Sequence, residues 1–451
     1  MSNIRFHHRI FHEFFVKNGL FLLCALSSVP IAAYAKDKPK LILQITVDQL
    51  RGDMPIRFLD QLGAGGFRHL LEEGIHYNNA HHTLANTETI VGHTTQAAGA
   101  NPAAHGMVGN LWYDREAGRT VYNIEDSDYS IFTSGADVDD ATEIDPPQRA
   151  ATSDGRSPRT ILTSTFGDEL AVNTAGRAKV FGVSIKNRGA VAMAGHAGKT
   201  FWFSKAVGEF VTSNYYYDTY PSWVDAWNNK GLPQSYSDLL WELLNPIDSY
   251  IFEGRDDQAW EPDFAGFGRT FPRLLGSTED KYFTTLLTLS PFGYHMPADF
   301  AKPLIDAEGL GDDDVTDFLG VSLSVTDYVG HFFGPSSLEA EDNLLQLDLT
   351  LANLFASLGM PGSYVSPDEW DTAPAAEQIK ERFGIEGPLF ESCDHPYLTL
   401  AADVRDNPDI DRVALETAIA DNLVPQTTAL PCGFKGSTQH FNLFGKMECL
   451  S

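Results

Sequence analysis

Runs of apolar, β-branched residues alternate along the chain with stretches of helical spacing. Three of the runs, Lys40 to Val47, Ala178 to Ser184 and Phe318 to Val325, are nearly continuous. This is the pattern of strands buried on both faces of a parallel sheet, and with the helical stretches between them it predicts an α/β fold. Phe58–Gly74, Thr160–Asn173 and Ser337–Leu358 have helical spacing, and Thr94–Ala98 is a run of small helix formers that puts Thr89 near a helix N-terminus. Ile75–Asn79 reads as a short strand, and Thr200–Phe203 with Tyr215–Trp227 as strand, turn and helix. Residues 124–158, rich in Asp, Ser, Pro and Gly, read as an exposed loop or insertion, and residues 230–300 as an accessory cap within an insertion of about 200–300.

At 451 residues the chain can bury the core of one large domain with insertions, or of two. The net charge of −29 argues against nucleic acid polymers or anionic membranes as partners. An anionic substrate therefore needs a local cluster of metal ions and basic side chains. Residues 1–35 read as an export signal: Arg5, Arg9 and Lys17 precede the apolar run Leu20–Leu26, and Ala33-Tyr34-Ala35 offers a cleavage site. That run is too short and interrupted to span a membrane. Cleavage would remove Cys24 and leave about −31 on a periplasmic or secreted chain without a stable span. Cys393, Cys432 and Cys449 remain, allowing one disulfide of open pairing and one free thiol.

The candidate chemistry lies where the apolar runs end. Asp48 follows the first run, where open α/β sheets place their ligands, or it caps the turn there. Thr89 opens a helix, a place that favours an anion; a hydroxyl there is a nucleophile if a metal activates it, or otherwise a plain cap. Asn110 stands in a loop with an amide to offer. Lys186 and Arg188, at the end of the second run, suit the non-bridging oxygens of a phosphate unless they are merely solvated. Asp327 and His331, after the third run, are spaced to meet on one side of a helical turn as zinc ligands.

Taken in order, Asp48, Thr89-Ile-Val-Gly-His, Gly109-Asn110, Lys186-x-Arg188 and Ser324-Val-Thr-Asp-Tyr-Val-Gly-His331-Phe-Phe-Gly-Pro resemble the alkaline phosphatase superfamily over roughly residues 38–425. The likeness is to exported threonine-nucleophile enzymes related to the type I phosphodiesterase/nucleotide pyrophosphatases. It implies a doubly wound, mostly parallel sheet flanked by helices, with two zinc ions at the strand ends. Thr89 would form a phosphothreonine from a small phosphoester. Asp48 and Thr89 would bind one zinc, Asp327 and His331 the other, while Asn110, Lys186 and Arg188 hold phosphoryl oxygens.

The chain also departs from this family. After the helix ending at Leu358 the family has another core strand closing in an Asp-His ligand pair; here Gly359-Met-Pro-Gly follows, and one core strand is missing. Asp394-His395 precedes a proline without a strand before it. Gly436-Ser-Thr-Gln-His440 only echoes the family's distal histidine loop, and residues 426–451 form a divergent tail. Each zinc keeps two ligands where three or four are usual. Three readings follow: a metal-dependent monoesterase with incomplete ligand sets, a non-catalytic secreted relic, and a nucleotide diesterase. The Lys186–Arg188 pair speaks against the last, because a diester has one charged oxygen fewer.

Overall fold

In a computed structural model, residues 38–358, 374–392 and 399–419 are described, the last range without 401, 406, 413 and 416. The expected signal, the place of the missing strand, Asp394-His395, the three mature cysteines and the tail lie outside the described residues.

The central sheet has five strands: β1 (Leu41–Val47), β2 (Val180–Ser184), β3 (Lys199–Ser204), β4 (Glu209–Val211) and β5 (Asp317–Leu323). Their order is β1-β5-β2-β3-β4, with the first four parallel and β4 antiparallel at one edge. Every residue of β2 and β5 is buried, as their near-continuous apolar runs predict, whereas β1, an edge strand with no described strand on its outer side, is half-buried apart from the buried Thr46 and so departs from the expected burial on both faces. Because neighbouring side chains point to opposite faces, each strand feeds two cores. Phe181, Val183, Leu319 and Val321 join a cluster with Phe300 and Leu304. On the other face Gly182 and Gly320 meet the helix Asn187–Ala194: a Cβ at Gly182 would lie 2.3 Å from the Ala190 carbonyl oxygen, and one at Gly320 would lie 2.6 Å from Met193 Cε. The two glycines are what let that helix lie close on the strands. Helices thus cover both faces of a mostly parallel sheet, as expected.

Several local expectations are corrected. Phe58–Gly74 is not one helix but a 3-10 turn, Leu59–Gln61, and a helix, Phe67–Glu73, parted at Gly63-Ala-Gly-Gly66. The break is bridged from outside, since Asp348 accepts from the Gly63 and Phe67 amides at 2.8 and 2.6 Å. Residues 75–79 form no strand and are mostly exposed. The helix expected over Thr160–Asn173 starts only at Phe166, where Thr165 and Asp168 form a reciprocal capping box.

Residues 124–158 are irregular apart from one helical turn, Pro146–Arg149, and far from uniformly exposed: Ile124, Ile131, Glu143, Asp145, Gln148 and Arg156 are buried. The expected cap region opens with β3 and β4 of the central sheet and closes with two buried helices, Phe283–Thr288 and Phe292–Glu308. Aromatic residues there, Phe300 above all, belong to the main core. What remains accessory is the irregular stretch around the pairing of Leu240–Trp241 with Arg273–Leu274. It is anchored to the first turn of the helix Leu338–Leu358. There Asp342 accepts from Trp241 Nε1 at 2.6 Å and the Leu244 amide at 2.8 Å, and Glu341 from the Ile251 and Phe252 amides at 2.8 and 2.9 Å. Glu339 pairs with Arg273, both fully buried. Carboxylates in a first helical turn also suit the helix dipole.

Candidate active site

Three neighbouring parallel strands, β1, β5 and β2, deliver the site at their C-terminal ends. Asp48 follows β1 directly, Lys186 lies two residues past β2, and Asp327 sits in the first turn of the helix Val325–Phe333 that follows β5. Adjacent strands in register bring the three side chains together. The Lys186 ammonium, fully buried, donates to Asp48 Oδ2 at 2.9 Å and to Asp327 Oδ2. Burial opposes its charge, yet the two carboxylates outweigh that and hold its pKa above the ordinary lysine value. Asp327 is half-buried, which opposes its charge, but Lys186 and His331 hold its carboxyl well below the usual range.

Thr89 is the first residue of the helix Thr89–Ala98, as its position before the small helix formers predicts. Its hydroxyl donates to Asp48 Oδ2 at 3.0 Å and faces Arg188 Nη2 at 3.4 Å. The next amide, Ile90, donates to Asn110 Oδ1 at 3.2 Å, and the Asn110 amide is held by Glu88, the residue before the helix. Asn110 thus lies against the open end of this helix, its side-chain NH2 left to donate. Arg188 is 2% exposed and gives Nη1 to Asp145 Oδ2 at 2.7 Å; its Nε has no partner among the described residues. His331 is the outlier: it is mostly exposed and lies 3.4 Å from Asp327 Oδ1, a contact that raises its pKa.

Asp48, Thr89, Asn110, Lys186, Arg188 and Asp327 therefore converge, with His331 at their margin. Lys186 differs from expectation in one respect: it is spent on two carboxylates and is not free for an anion. Three contributors escaped sequence reading. His93 is buried and bonds the Thr89 carbonyl and Ser322 Oγ, each at 2.8 Å; its spacing of one helical turn from Thr89 was a usable signal. Asp145 and the buried Glu143–Lys205 pair come from the irregular segment and the end of β3, and nothing in their local sequence marks them.

Carboxylate, imidazole and hydroxyl are a donor chemistry suited to zinc. The geometry falls short of two ions, however. Asp48 with Thr89 and Asp327 with His331 supply two donors each, and no group of three or more His, Cys, Asp or Glu side chains placed to hold a metal exists among the described residues. The ammonium of Lys186 already bridges the two carboxylates. The described residues do not fit a pair of zinc ions.

A mostly parallel sheet that gathers a hydroxyl, a carboxylate pair and buried cations at its strand ends defines an α/β protein with a polar site on that edge. Residues 42–364 match the type I phosphodiesterase/nucleotide pyrophosphatase family, and the chain belongs to it, within the alkaline phosphatase superfamily. It is 37% identical over 328 residues to alkaline phosphatase PafA of Elizabethkingia meningoseptica, covering 72% of this chain and 57% of that protein. To alkaline phosphatase PhoV of Synechococcus elongatus it is 38% identical over 320 residues, covering 70% of this chain and 55% of PhoV. The chain thus spans little more than half the length of these curated relatives. The crystal structure of PafA superposes with a TM-score of 0.64 at 30% identity, covering 86% of this chain and 77% of that one. A PafA variant substituted at a threonine, an asparagine, a lysine and an arginine matches with the same TM-score of 0.64.

Proposed function

We propose that this chain is an exported hydrolase of phosphate monoesters whose phosphoryl acceptor is Thr89. The observation that carries the reading is the Thr89 hydroxyl itself: buried at a helix N-terminus, it donates to Asp48 and has Arg188 beside it. The four residue types altered together in the PafA variant occur here in the same order as Thr89, Asn110, Lys186 and Arg188. The separations within the first and the last pair are also the same.

A monoester meets Thr89 Oγ1 with its phosphorus. As the Oγ1–phosphorus bond forms, Asp48 accepts the hydroxyl proton. The ester oxygen–phosphorus bond breaks, and the alcohol leaves with a proton from water. Arg188 and the side-chain NH2 of Asn110 bind the equatorial oxygens. The hydroxide so formed then cleaves the phosphothreonine, releasing inorganic phosphate, and Asp48 returns its proton to Thr89 Oγ1, restoring the hydroxyl. Lys186 offsets one of the two negative charges of Asp48 and Asp327 and so weakens their repulsion of a dianion.

The test compares hydrolysis of 4-nitrophenyl phosphate and bis(4-nitrophenyl) phosphate by the purified chain. The monoester should turn over faster, acid-quenched protein should carry phosphate on Thr89, and Thr89→Ala should abolish both signals. Faster turnover of the diester would favour a nucleotide phosphodiesterase. Phosphate binding without turnover would favour the non-catalytic relic, the reading to which the two-donor ligand sets point.

A further inference from the structure

Arg188 touches the nucleophile, but nothing in its own element holds its guanidinium. Asp145 does, through Nη1 at 2.7 Å, from a segment that carries no motif, with the buried Tyr122 hydroxyl as a second partner of the guanidinium. We propose that Asp145 is a positioning residue that clamps one arm of the Arg188 fork, so that Nη2 and Nε remain for the phosphoryl oxygens at Thr89. This rests on the functional reading above and adds to it a residue outside the Thr-Asn-Lys-Arg set.

The clamp is itself held. Asp145 is buried, takes a second bond from Gln148 Nε2 at 3.1 Å, and donates its own amide to Glu143 Oε1 at 2.9 Å. Glu143 pairs with Lys205 at the end of β3, and Lys205 Nζ lies 3.3 Å from the Tyr328 hydroxyl. The ring of Tyr328 has Lys205 Nζ at 4.9 Å and Lys186 Nζ at 4.6 Å from its centroid. Asp145 is thereby fastened to the sheet and to the helix that bears Asp327. Arg188 cannot leave it without stranding a buried carboxylate. Burial alone would raise the Asp145 carboxyl, but Arg188, Lys186 and Lys205 bring it down to about 2, so it stays ionised at neutral pH.

Positioning and simple charge predict opposite results. Removing a negative charge beside an anion site should tighten phosphate binding, whereas losing the clamp should weaken it. Inorganic phosphate is titrated calorimetrically into the full chain and into Asp145→Ala, Asp145→Asn, Arg188→Ala and the Asp145→Ala/Arg188→Ala pair. Asparagine loses the same charge as alanine but keeps an acceptor at the same place. The expected result is an affinity loss of about tenfold or more for alanine, a smaller loss for asparagine, and no further loss from Asp145→Ala once Arg188 is alanine. Equal effects of alanine and asparagine, tighter binding, or losses that multiply in the double variant would overturn the proposal. Absence of phosphate binding by the unaltered chain would instead defeat the functional reading, and this inference with it.

Discussion

Replacing Lys186 by methionine keeps the length of the side chain and removes its charge. The ammonium is fully buried, and the Asp48 and Asp327 side chains it bridges are only 9% and 15% exposed. Unit charges ~4 Å apart at an effective dielectric of ~20 attract by ~4 kcal/mol. Two such attractions, less the cost of desolvating the ammonium, leave a net loss of about 3–5 kcal/mol for the variant, the usual range for unpairing a buried ion pair. Urea unfolding followed by tryptophan fluorescence, with chelator present so that no metal replaces the lysine, measures it. Adding Asp327→Asn to Lys186→Met should recover about half of the loss, since one stranded carboxylate is then gone. The pH dependence has a definite sign. The depressed Asp327 carboxyl of the unaltered chain contributes stability that is present above its ordinary value of 3.8 and lost as pH falls through the lower folded value. In the variant that contribution is absent, so the gap between the two proteins should be widest near neutrality and narrow on acidification. A loss below about 1 kcal/mol at neutral pH, or a gap that widens in acid, would refute the claim that Lys186 is the counter-charge of the centre.

Two further outcomes are expected. Asp168 accepts from the amides of Thr165, His196 and Ala197 at 2.8, 2.7 and 2.6 Å and from the His196 ring at 3.0 Å; Asp168→Ala should therefore cost about 2–3 kcal/mol in urea unfolding. Asp168 is depressed below 3.8 although burial opposes this, and its share is present above that value and lost as pH falls through the folded one. His196 is raised above 6.5, chiefly by its bond to Asp168, and its share is present below 6.5 and lost as pH rises through the folded value. The cost of the substitution should thus peak between the two ranges and shrink as pH rises through the raised His196 value, by only a few tenths of a kcal/mol because His196 is partly exposed. Zinc measured by atomic absorption after dialysis should fall short of two ions per chain, because each expected site has two donors among the described residues. Two retained ions would mean that residues beyond those described complete both sites.

The near-continuous apolar runs at Lys40–Val47, Ala178–Ser184 and Phe318–Val325 pointed to the parallel sheet without help from the rest of the chain, although only β2 and β5 proved buried throughout and β1, at the sheet's edge, is half-buried. A strand buried on both faces leaves no room for polar alternation. By the same logic the positions just past those runs, Asp48, Lys186 and Asp327, were legible as residues that meet, since a parallel sheet collects its strand ends on one edge. The start of the helix at Thr89 was legible from its small-residue run. Sequence alone did not reveal that β5 lies between β1 and β2, so that Lys186 falls on both carboxylates, because strand order depends on crossovers and not on local pattern. Nor did it reveal that the polar segment 124–158 turns inward. Asp145 and Glu143 are buried because Arg188 and Lys205, 43 and 62 residues away along the chain, offer opposite charges there, and only the folded chain brings such partners together.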